Sequence, residues 1–363
     1  MSRRIKFAKR VAYLAIAGVS IYLVMPSVIA TFSSWPEVKK LREGSLLMMV
    51  GATLASLVCF WILLGLCLRT RRWLLVAASQ LASGAIGRIV PGGAATATAV
   101  QYRLLRDAGI NSSEAGTGMT VATLLNFAVL FAMPVLAVPS ILFGPPIDSL
   151  LVNGAVAAAI SFVAAAILGG LFFMWDRPLA ALGRAIDAIM RRFGRDDPDD
   201  EPREIRLLRS RDLIRSHLAD RWYKVVLASC GKWGFDYLAL ILAVRGVGHD
   251  DTSSVFLLAF VTASLLAKVP FTPGGLGFVE AGLTGTLVLA GMSAGDAATA
   301  TLAYRLVSYW LPIPLGGLAY AMHLVHMRRQ GVELDPLIDR ETGEAITVEP
   351  GTTSTPLDDQ RDR

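Results

Sequence analysis

The sequence predicts an all-α polytopic membrane protein. Of its 363 residues, 54% are hydrophobic and only 18% are charged, and the mean hydropathy is +0.53, a composition typical of membrane proteins. About 20 consecutive apolar residues are needed to cross the hydrocarbon core of a bilayer. Apolar stretches of sufficient length recur along the chain, at residues 11–32, 45–68, 115–139, 147–175, 222–244 and 297–325.

The composition also excludes several classes of function. The net charge is +6, but the arginines gather beside predicted spans, where cytoplasmic loops and anionic lipid account for them, so we expect no nucleic-acid binding. Cys59, Cys67 and Cys230 lie inside predicted spans without metal or redox spacing and are predicted to be packing residues. The first apolar stretch follows a basic start but is too long for a secretory signal, so we expect a retained helix.

Two polar segments stand apart from the apolar pattern. Residues 176–221 contain eleven arginines around an acidic centre, GRDDPDDEPRE, and include LAALGRAIDAIMRRF, whose apolar spacing suits a helix on the membrane surface. Residues 328–363 are polar and are predicted to form a disordered tail. We therefore expect a transmembrane domain over residues 1–327, with the 176–221 loop and the tail in the cytoplasm.

An internal repeat relates two parts of the chain at an offset of 182 residues. VPGGAATATAV near residue 90 matches TPGGLGFVEAG near residue 272, and over residues 91–124 ten of 34 positions are identical without a gap. The repeat predicts equivalent copies over about residues 45–139 and 227–321. The shared interruption consists of Pro91, Gly92 and Gly93 in the first copy and Pro273, Gly274 and Gly275 in the second.

The basic residues predict that the two copies have opposite orientations. With the N-terminus in the cytoplasm, the arginines at 69–72, the 176–221 loop and Arg328 are also cytoplasmic, as the positive-inside rule expects, although Lys39, Lys40 and Arg42 fall outside. Copy one then begins outside and copy two begins inside. Such an inverted repeat with broken helices is typical of alternating-access carriers.

Each Pro-Gly-Gly run is predicted to break a helix, because proline lacks a backbone donor and glycine permits turns. The broken pairs either span the membrane or re-enter it. Irregular backbone at membrane depth is tolerated where it is buried in protein or lines a polar cavity. The alternatives are a packing kink or a loop at the membrane surface.

Ionisable residues in the apolar segments are few, and each costs about 2.5–3.5 kcal/mol at depth unless it is paired or hydrated. They are Arg88, Lys232, Asp236, Lys268, Glu280 and Arg305. Basic groups beside the N-terminus of a broken helix suit a phosphate or another anion, with Glu280 balancing Arg305 or Lys268, or receiving a cationic group. Alternatively, Glu280 forms a structural lock with one of these bases while Arg88 reaches an interface.

Two further groups of polar and aromatic residues have simpler interpretations. Lys232 and Asp236 are four residues apart and are expected to neutralise each other on one helix face. A kinked aromatic segment is predicted by Tyr304, Tyr309, Trp310, Pro312 and Pro314. Tyr304 is a candidate substrate contact there, with core packing or an interfacial belt as the alternative.

Common catalytic and nucleotide motifs are absent from the sequence. It contains no G-x-x-x-x-G-K-[ST] loop, no H-E-x-x-H and no G-x-S-x-G. We therefore predict no catalytic residue, no metal site, no cofactor and no ATP-driven mechanism.

KVPFTPGGLGFVEAG, AGMSAGDA and YRLVSYWLPIPLGG resemble the transmembrane region of bacterial lysylphosphatidylglycerol synthases and of stand-alone flippase-like proteins that share it. The resemblance covers most of residues 10–325 and is strongest at 268–317. In two-part members this region is credited with moving the aminoacylated lipid between leaflets, while a cytoplasmic domain makes it. The sequence has no such domain after residue 325, so synthase activity is not expected. The family features that the resemblance implies for this sequence are the second Pro-Gly-Gly run with Glu280, and Arg305.

The leading hypothesis is a lipid translocase of the plasma membrane with both termini in the cytoplasm. The paired broken helices would form a polar cleft for the headgroup of a phospholipid or polyprenyl-linked lipid, with Arg88, Lys268 and Arg305 contacting phosphate and Glu280 adjusting the charge. The alternatives are an intramembrane enzyme or accessory subunit with Glu280 as general base, and a scaffold whose 176–221 loop binds a partner enzyme or anionic lipid. A homo-oligomer is compatible with each.

Overall fold

A computed structural model describes residues 35–39, 41–90, 93–143, 221–250, 255–267 and 273–329, with Met25 and scattered positions between 160 and 212. Every regular element in these residues is helical. The α-helices are α1 (Trp35–Val38), α2 (Ser45–Cys67), α3 (Trp73–Ile89), α4 (Gly93–Asp107), α5 (Ser112–Phe143), α6 (Trp222–Gly246), α7 (Val255–Leu266), α8 (Phe278–Leu289), α9 (Ala294–Arg305) and α10 (Pro312–Arg329). A 3₁₀ turn, Pro273–Gly275, precedes α8, and a π-helical turn, Leu306–Trp310, joins α9 to α10.

Three helices in the described residues are long and apolar enough to cross a membrane: Ser45–Cys67, Ser112–Val135 and Trp222–Gly246. They confirm the predicted spans at 45–68, 115–139 and 222–244. The predicted stretches 11–32 and 147–175 lie outside the described residues, as do most of the 176–221 loop and the tail beyond Arg329.

The predicted span at 297–325 does not form one regular α-helix. It is divided by the π turn, in which the Leu311 N–H donates to the Leu306 carbonyl at 3.1 Å. The physical reason is Pro312, which has no N–H to continue the regular pattern, so the preceding residues adopt the wider turn. The helix then continues to Arg329, slightly beyond the residue at which the tail was expected to begin.

Helix boundaries recur at the offset found in the sequence. α3 begins at Trp73 and α7 at Val255, 182 residues later, and α5 and α9 begin at Ser112 and Ala294, again 182 residues apart. The turn after α4 and the turn after α8 each contain a glycine with positive φ, Gly109 (84°) and Gly291 (97°). Equivalent sequences therefore form equivalent local structures.

The equivalent helices α2 and α6 pack along each other in opposite directions. At one end, the Arg42 N–H donates to the Gly246 carbonyl at 3.0 Å. Further along, a methyl group built on Gly231 would lie 2.9 Å from the Cys59 sulfur. An antiparallel pair of equivalent helices is what an inverted repeat requires, and the direction of each copy across a bilayer stays a prediction.

The two copies also exchange contacts. Helix α3 of the first copy packs on α10, and α7 of the second copy packs on α5. The α3 contact is close, because a methyl group on Gly316 would overlap the Leu81 carbonyl. This reciprocity places the end of α3, just before the first Pro-Gly-Gly run, against the second copy.

The core is built around α7, in which eight of the twelve residues are buried, among them Phe256 and Phe260. A helix that is apolar on every face is stable only when other elements surround it. In contrast, Leu47 on α2 and Leu227 on α6 are exposed, which is the expected state of side chains facing lipid. The exposed ends of α2 and α6 are joined by a bidentate ion pair between Arg42 and Asp250 at 2.7 and 3.0 Å.

Candidate functional site

The second interruption is a tight turn that requires glycine. Gly274, Gly275 and Gly277 have φ values of 58°, 72° and 84°, a region that costs other residues about 1–2 kcal/mol. A methyl group on Gly274 would overlap the ring of Tyr309. The turn therefore brings backbone and an aromatic ring closer together than any side chain at Gly274 would allow.

Glu280 caps the N-terminus of the helix that follows this turn. Its Oε2 accepts a hydrogen bond from the Gly277 N–H at 2.7 Å, which satisfies one of the unpaired donors at the start of α8. Because Gly277 has no side chain, only the glutamate half of a capping box is formed. The negative charge also interacts favourably with the positive end of the helix dipole.

The other oxygen of Glu280 pairs with Arg305. The Arg305 Nε donates to Glu280 Oε1 at 2.7 Å, and the Arg305 and Glu280 side chains are 6% and 17% exposed respectively. Of the two partners that the sequence left open for Glu280, the structure brings Arg305 to it, and Lys268 lies outside the described residues. The contact is the one that the structural-lock interpretation predicted, and it holds α8 to α9.

Arg305 also contacts the turn and an aromatic ring. Its Nη2 donates to the Gly274 carbonyl at 3.4 Å, and its guanidinium carbon lies 4.3 Å from the centre of the Tyr309 ring. The ring stands four residues later, within the π turn. Arg305 is therefore held by a carboxylate, a carbonyl and the face of a ring, all within an apolar part of the chain.

Tyr309 connects the two interruptions. Its Oη donates to the Arg88 carbonyl at 2.7 Å across 221 residues of sequence. Helix α3 ends one residue later, at Ile89, and Val90 is extended (φ −90°, ψ 134°). The Pro273–Gly275 turn also packs against α3. The end of the first broken segment therefore lies against the turn of the second.

Arg88 lies in the last turn of α3 and is partly exposed. Its Nη1 donates to the Gly84 carbonyl at 3.0 Å. Within the described part of the chain its guanidinium forms no ion pair with a carboxylate. It is thus a cation close to Arg305 with hydrogen-bond donors available to an anion.

The first interruption is described in part. Pro91 and Gly92 lie outside the described residues, and Gly93 begins α4. A methyl group on Gly93 would overlap the Gly87 carbonyl, so α3 and α4 approach each other as closely as two backbones can. This contact folds α4 back along α3 immediately after the break.

Lys232 and Asp236 form the predicted ion pair on α6, with the Lys232 Nζ 2.9 Å from Asp236 Oδ2. The Lys232 Nζ also lies 3.0 Å from the centre of the Trp233 ring. Both members are within electrostatic range of Arg88. The sequence predicts that this pair neutralises itself, and in the structure its charges also act on Arg88.

Tyr304 and Tyr309 have different positions. Tyr304 is buried and lies within electrostatic range of Asp236, so it belongs to the α6 side of the site. Tyr309 was predicted only as part of a kinked aromatic segment, yet it makes the contact that joins the two interruptions. Its spacing of four residues from Arg305, which puts both on one helix face, was the available signal.

The described residues contain no stronger candidate site. In the described residues no group of three or more histidine, cysteine or acidic side chains is arranged to hold a metal. An open groove of about 650 Å³ runs along α6, and it is lined by Gly231, Gly234, Phe235, Tyr237, Leu238, Ile241 and Arg245. The groove is mostly apolar and does not include Glu280 or Arg305, so the polar cluster at the interruptions remains the candidate site.

Comparison with known proteins finds similarity to membrane proteins. A 31% identical match over 84 residues is found in a UPF0104 membrane protein of Methanothermobacter thermautotrophicus, covering 23% of this chain and 25% of the relative. A 28% identical match over 115 residues is found in a UPF0104 membrane protein of Pyrococcus horikoshii, covering 32% of this chain and 34% of the relative. The chain thus matches a quarter to a third of the length of these relatives. No solved structure matches it.

The broadest similarity covers most of the chain. The sequence profile described as "Lysylphosphatidylglycerol synthase TM region" matches residues 11–316, which include both interruptions, Glu280 and Arg305. The protein is a membrane protein that belongs to the lysylphosphatidylglycerol synthase transmembrane-region family.

Proposed function

We propose that the protein is a lipid translocase that moves an anionic headgroup between leaflets through the region where the two interruptions meet. The acyl or prenyl chains stay in the bilayer while the headgroup crosses. The observation that carries the proposal is the hydrogen bond from Tyr309 to the Arg88 carbonyl, because it supports a single polar region built from both copies of the repeat. We place the protein in the plasma membrane with both termini in the cytoplasm.

The charges of the described residues support an anionic substrate. Arg88, Lys232 and Arg305 contribute three positive charges to this region, and Asp236 and Glu280 contribute two negative charges. One positive charge is therefore uncompensated, and a phosphate group is the common lipid component that would neutralise it.

Arg88 makes the first contact with phosphate in this proposal. Its guanidinium retains free donors, whereas Arg305 is engaged by Glu280, the Gly274 carbonyl and the Tyr309 ring. Arg305 would contact phosphate when the headgroup displaces Glu280. Lys268 adjoins the same interruption in sequence and would add a further positive charge.

The chain is proposed to be a carrier and not an enzyme. In the alternative, Glu280 is a general base acting on a lipid-linked substrate. Both Glu280 oxygens already accept hydrogen bonds at 2.7 Å, so the carboxylate could take part in catalysis only after one of these contacts is broken, which favours the carrier. The third interpretation is a scaffold that binds a partner through residues 176–221. It predicts that the function of the protein does not depend on Arg88.

The test is lipid movement in vesicles. The purified chain is reconstituted into liposomes that contain a headgroup-labelled anionic phospholipid, and the fraction of label exposed to an external quencher is followed with time. We expect the wild-type chain to move label between leaflets and Arg88→Gln to slow movement at least tenfold, the factor that corresponds to loss of about 1.4 kcal/mol of anion binding.

Arg42→Gln is the matched control, because it removes an arginine that is exposed and paired with Asp250; we expect the wild-type rate. Failure of the wild-type chain to move any phospholipid or polyprenyl-phosphate label would refute the proposal. Chemical change of the lipid in detergent would support the enzyme. Silent Arg88 and Glu280 variants, together with loss of the cellular phenotype on deletion of residues 180–215, would support the scaffold.

A further inference from the structure

We propose that Gln80 is a second headgroup-binding residue, which holds the phosphate of an anionic lipid together with Arg88. Gln80 lies about two helical turns before Arg88 on α3, and Gly84 lies between them. The inference rests on the proposed function and deepens it, because it names the two donors and limits the ligand to a lipid with a phosphate group.

The amide of Gln80 is oriented by a tryptophan of the neighbouring helix. Its Oε1 accepts a hydrogen bond from the Trp61 Nε1 of α2 at 3.1 Å. An indole N–H can only donate, so this contact fixes the amide oxygen toward Trp61 and excludes the amide nitrogen from that position. The nitrogen, Nε2, has no hydrogen-bond partner in the described residues. Its N–H groups are therefore available to a ligand.

Gly84 leaves an empty position between this amide and Arg88. A methyl group built on Gly84 would lie 3.7 Å from Gln80 Nε2 and 3.0 Å from Arg88 Nη1, so the two nitrogens are at most about 6.7 Å apart. A phosphate whose oxygens accept at about 2.9 Å can bridge this distance. All three residues are partly exposed, and glycine lets a ligand approach the backbone closely.

Arg88 is held at the level of this gap. Its Nη1 donates to the Gly84 carbonyl at 3.0 Å, which folds the side chain back along α3 toward Gln80. The guanidinium keeps its other N–H donors. One positive charge beside a neutral donor suits the phosphodiester of a lipid, because the arginine neutralises its single charge and the amide fixes a further oxygen.

The alternative is that Gln80 only joins α2 to α3. That role needs the amide oxygen and Trp61, but it needs neither a free Nε2 nor a gap at Gly84. A glycine inside a helix is unfavourable relative to alanine. Its place between two donors is explained by a ligand that enters there, and not by the contact between the helices.

Binding to the purified chain in detergent separates these two roles. The probe is dihexanoyl phosphatidylglycerol, and the reference ligand is dihexanoylglycerol, which has the same chains and no phosphate. We expect Gln80→Met to weaken probe binding about fivefold, the factor that corresponds to one net hydrogen bond of about 1 kcal/mol, and to leave binding of the reference ligand unchanged. An equal loss for both ligands would overturn the proposal.

Inorganic phosphate distinguishes a lipid from a free anion as the ligand of this pair. We expect it to bind at least about tenfold more weakly than the probe, because it has no chains to bury. Equal affinity for inorganic phosphate and for the probe would contradict a lipid as the ligand.

Two further variants are designed to preserve folding. Gly84→Ala improves helix propensity but fills the gap, so we expect an unfolding temperature at or above that of the wild-type chain together with weaker probe binding. Gln80→Glu keeps an acceptor for Trp61 but places a carboxylate beside the phosphate, so we expect a loss of at least about tenfold. Wild-type probe binding in either variant would overturn the proposal. Thr120→Val removes an exposed hydroxyl that donates within α5, and as the control it should bind the probe like the wild-type chain.

Trp61 is a positioning residue in this proposal. Trp61→Phe frees the amide to rotate, and we expect it to weaken probe binding less than Gln80→Met does. The double variant Trp61→Phe/Gln80→Met should bind the probe as well as Gln80→Met alone, because Trp61 acts through the amide. Additive losses would contradict the positioning role.

The vesicle assay distinguishes failure of this inference from failure of the proposed function. If the wild-type chain binds the probe and moves label, but Gln80→Met and Gly84→Ala bind the probe equally well, the Gln80 contact is refuted and the proposed function stands. If the wild-type chain neither binds the probe nor moves label, both are refuted.

Discussion

Breaking the Glu280–Arg305 ion pair is expected to cause the largest loss of unfolding free energy among these predictions. Replacing Glu280 by Gln removes the negative charge but keeps the shape of the side chain. The amide has an oxygen at only one of the two positions that now accept from the Gly277 N–H and from Arg305, so one of these two hydrogen bonds is lost. Because Arg305 is only 6% exposed, its charge would be left without compensation, and breaking such a buried pair costs about 3–5 kcal/mol. We expect a loss near the lower end of that range, because Glu280 is 17% exposed and water screens part of the loss.

The double variant Glu280→Gln/Arg305→Met separates a structural lock from a transport role. It removes both charges, fills the space of the arginine with an apolar chain and leaves the new amide oxygen free to accept from the Gly277 N–H. We therefore expect most of the stability lost in Glu280→Gln to return, which corresponds to a coupling energy of about 2–3 kcal/mol in a double-mutant cycle. The assay is unfolding in detergent for all four members of the cycle.

The same variants are then compared in the vesicle assay. We expect the double variant to be folded but to move labelled lipid at least tenfold more slowly than the wild-type chain, because Arg305 is no longer available to the headgroup; a tenfold change corresponds to about 1.4 kcal/mol. A folded double variant that moves lipid at the wild-type rate would show that the pair is only a lock. A Glu280→Gln variant as stable as the wild-type chain would refute the buried ion pair itself.

The remaining predictions concern the contact between the interruptions. Gly274→Ala should lower the unfolding temperature by several degrees and slow lipid movement, because positive φ costs about 1–2 kcal/mol and the methyl group overlaps Tyr309; equal stability would contradict the turn geometry. Gly93→Ala should be destabilised through overlap with a backbone carbonyl, whereas Gly285→Ala, the control in open space within α8, should be stabilised by up to about 1 kcal/mol. Tyr309→Phe should lose about 1 kcal/mol of unfolding free energy and slow lipid movement; an unchanged rate would mean that its hydrogen bond to Arg88 does not serve transport.

Much of the fold could be predicted because it depends on local sequence. The spans at 45–68 and 222–244 follow from length and hydropathy alone, and α2 and α6 confirm them. The glycines with positive φ at Gly109 and Gly291 follow the repeat, because each copy contains the same Ala-Gly turn. The predicted span at 297–325 is divided by the π turn Leu306–Trp310, which lies within the segment that was predicted to be kinked, but the form of the interruption depends on how that turn packs.

The site was less predictable because its contacts join distant segments. The sequence left Glu280 with two basic partners, and only the packing of α8 against α9 brings Arg305 to it. The link from Tyr309 to Arg88 spans 221 residues and depends on how the two copies pack, which no spacing within one copy shows. The proximity of Lys232 and Asp236 to Arg88 depends on the same packing.

The most direct test of the central claim is an experimental structure in nanodiscs that contain anionic phospholipid. We expect headgroup density with its phosphate within hydrogen-bond distance of the Arg88 guanidinium, between the end of α3 and the Pro273–Gly275 turn. The claim would be contradicted by a structure in which that space is filled by side chains and the Arg88 guanidinium contacts no headgroup.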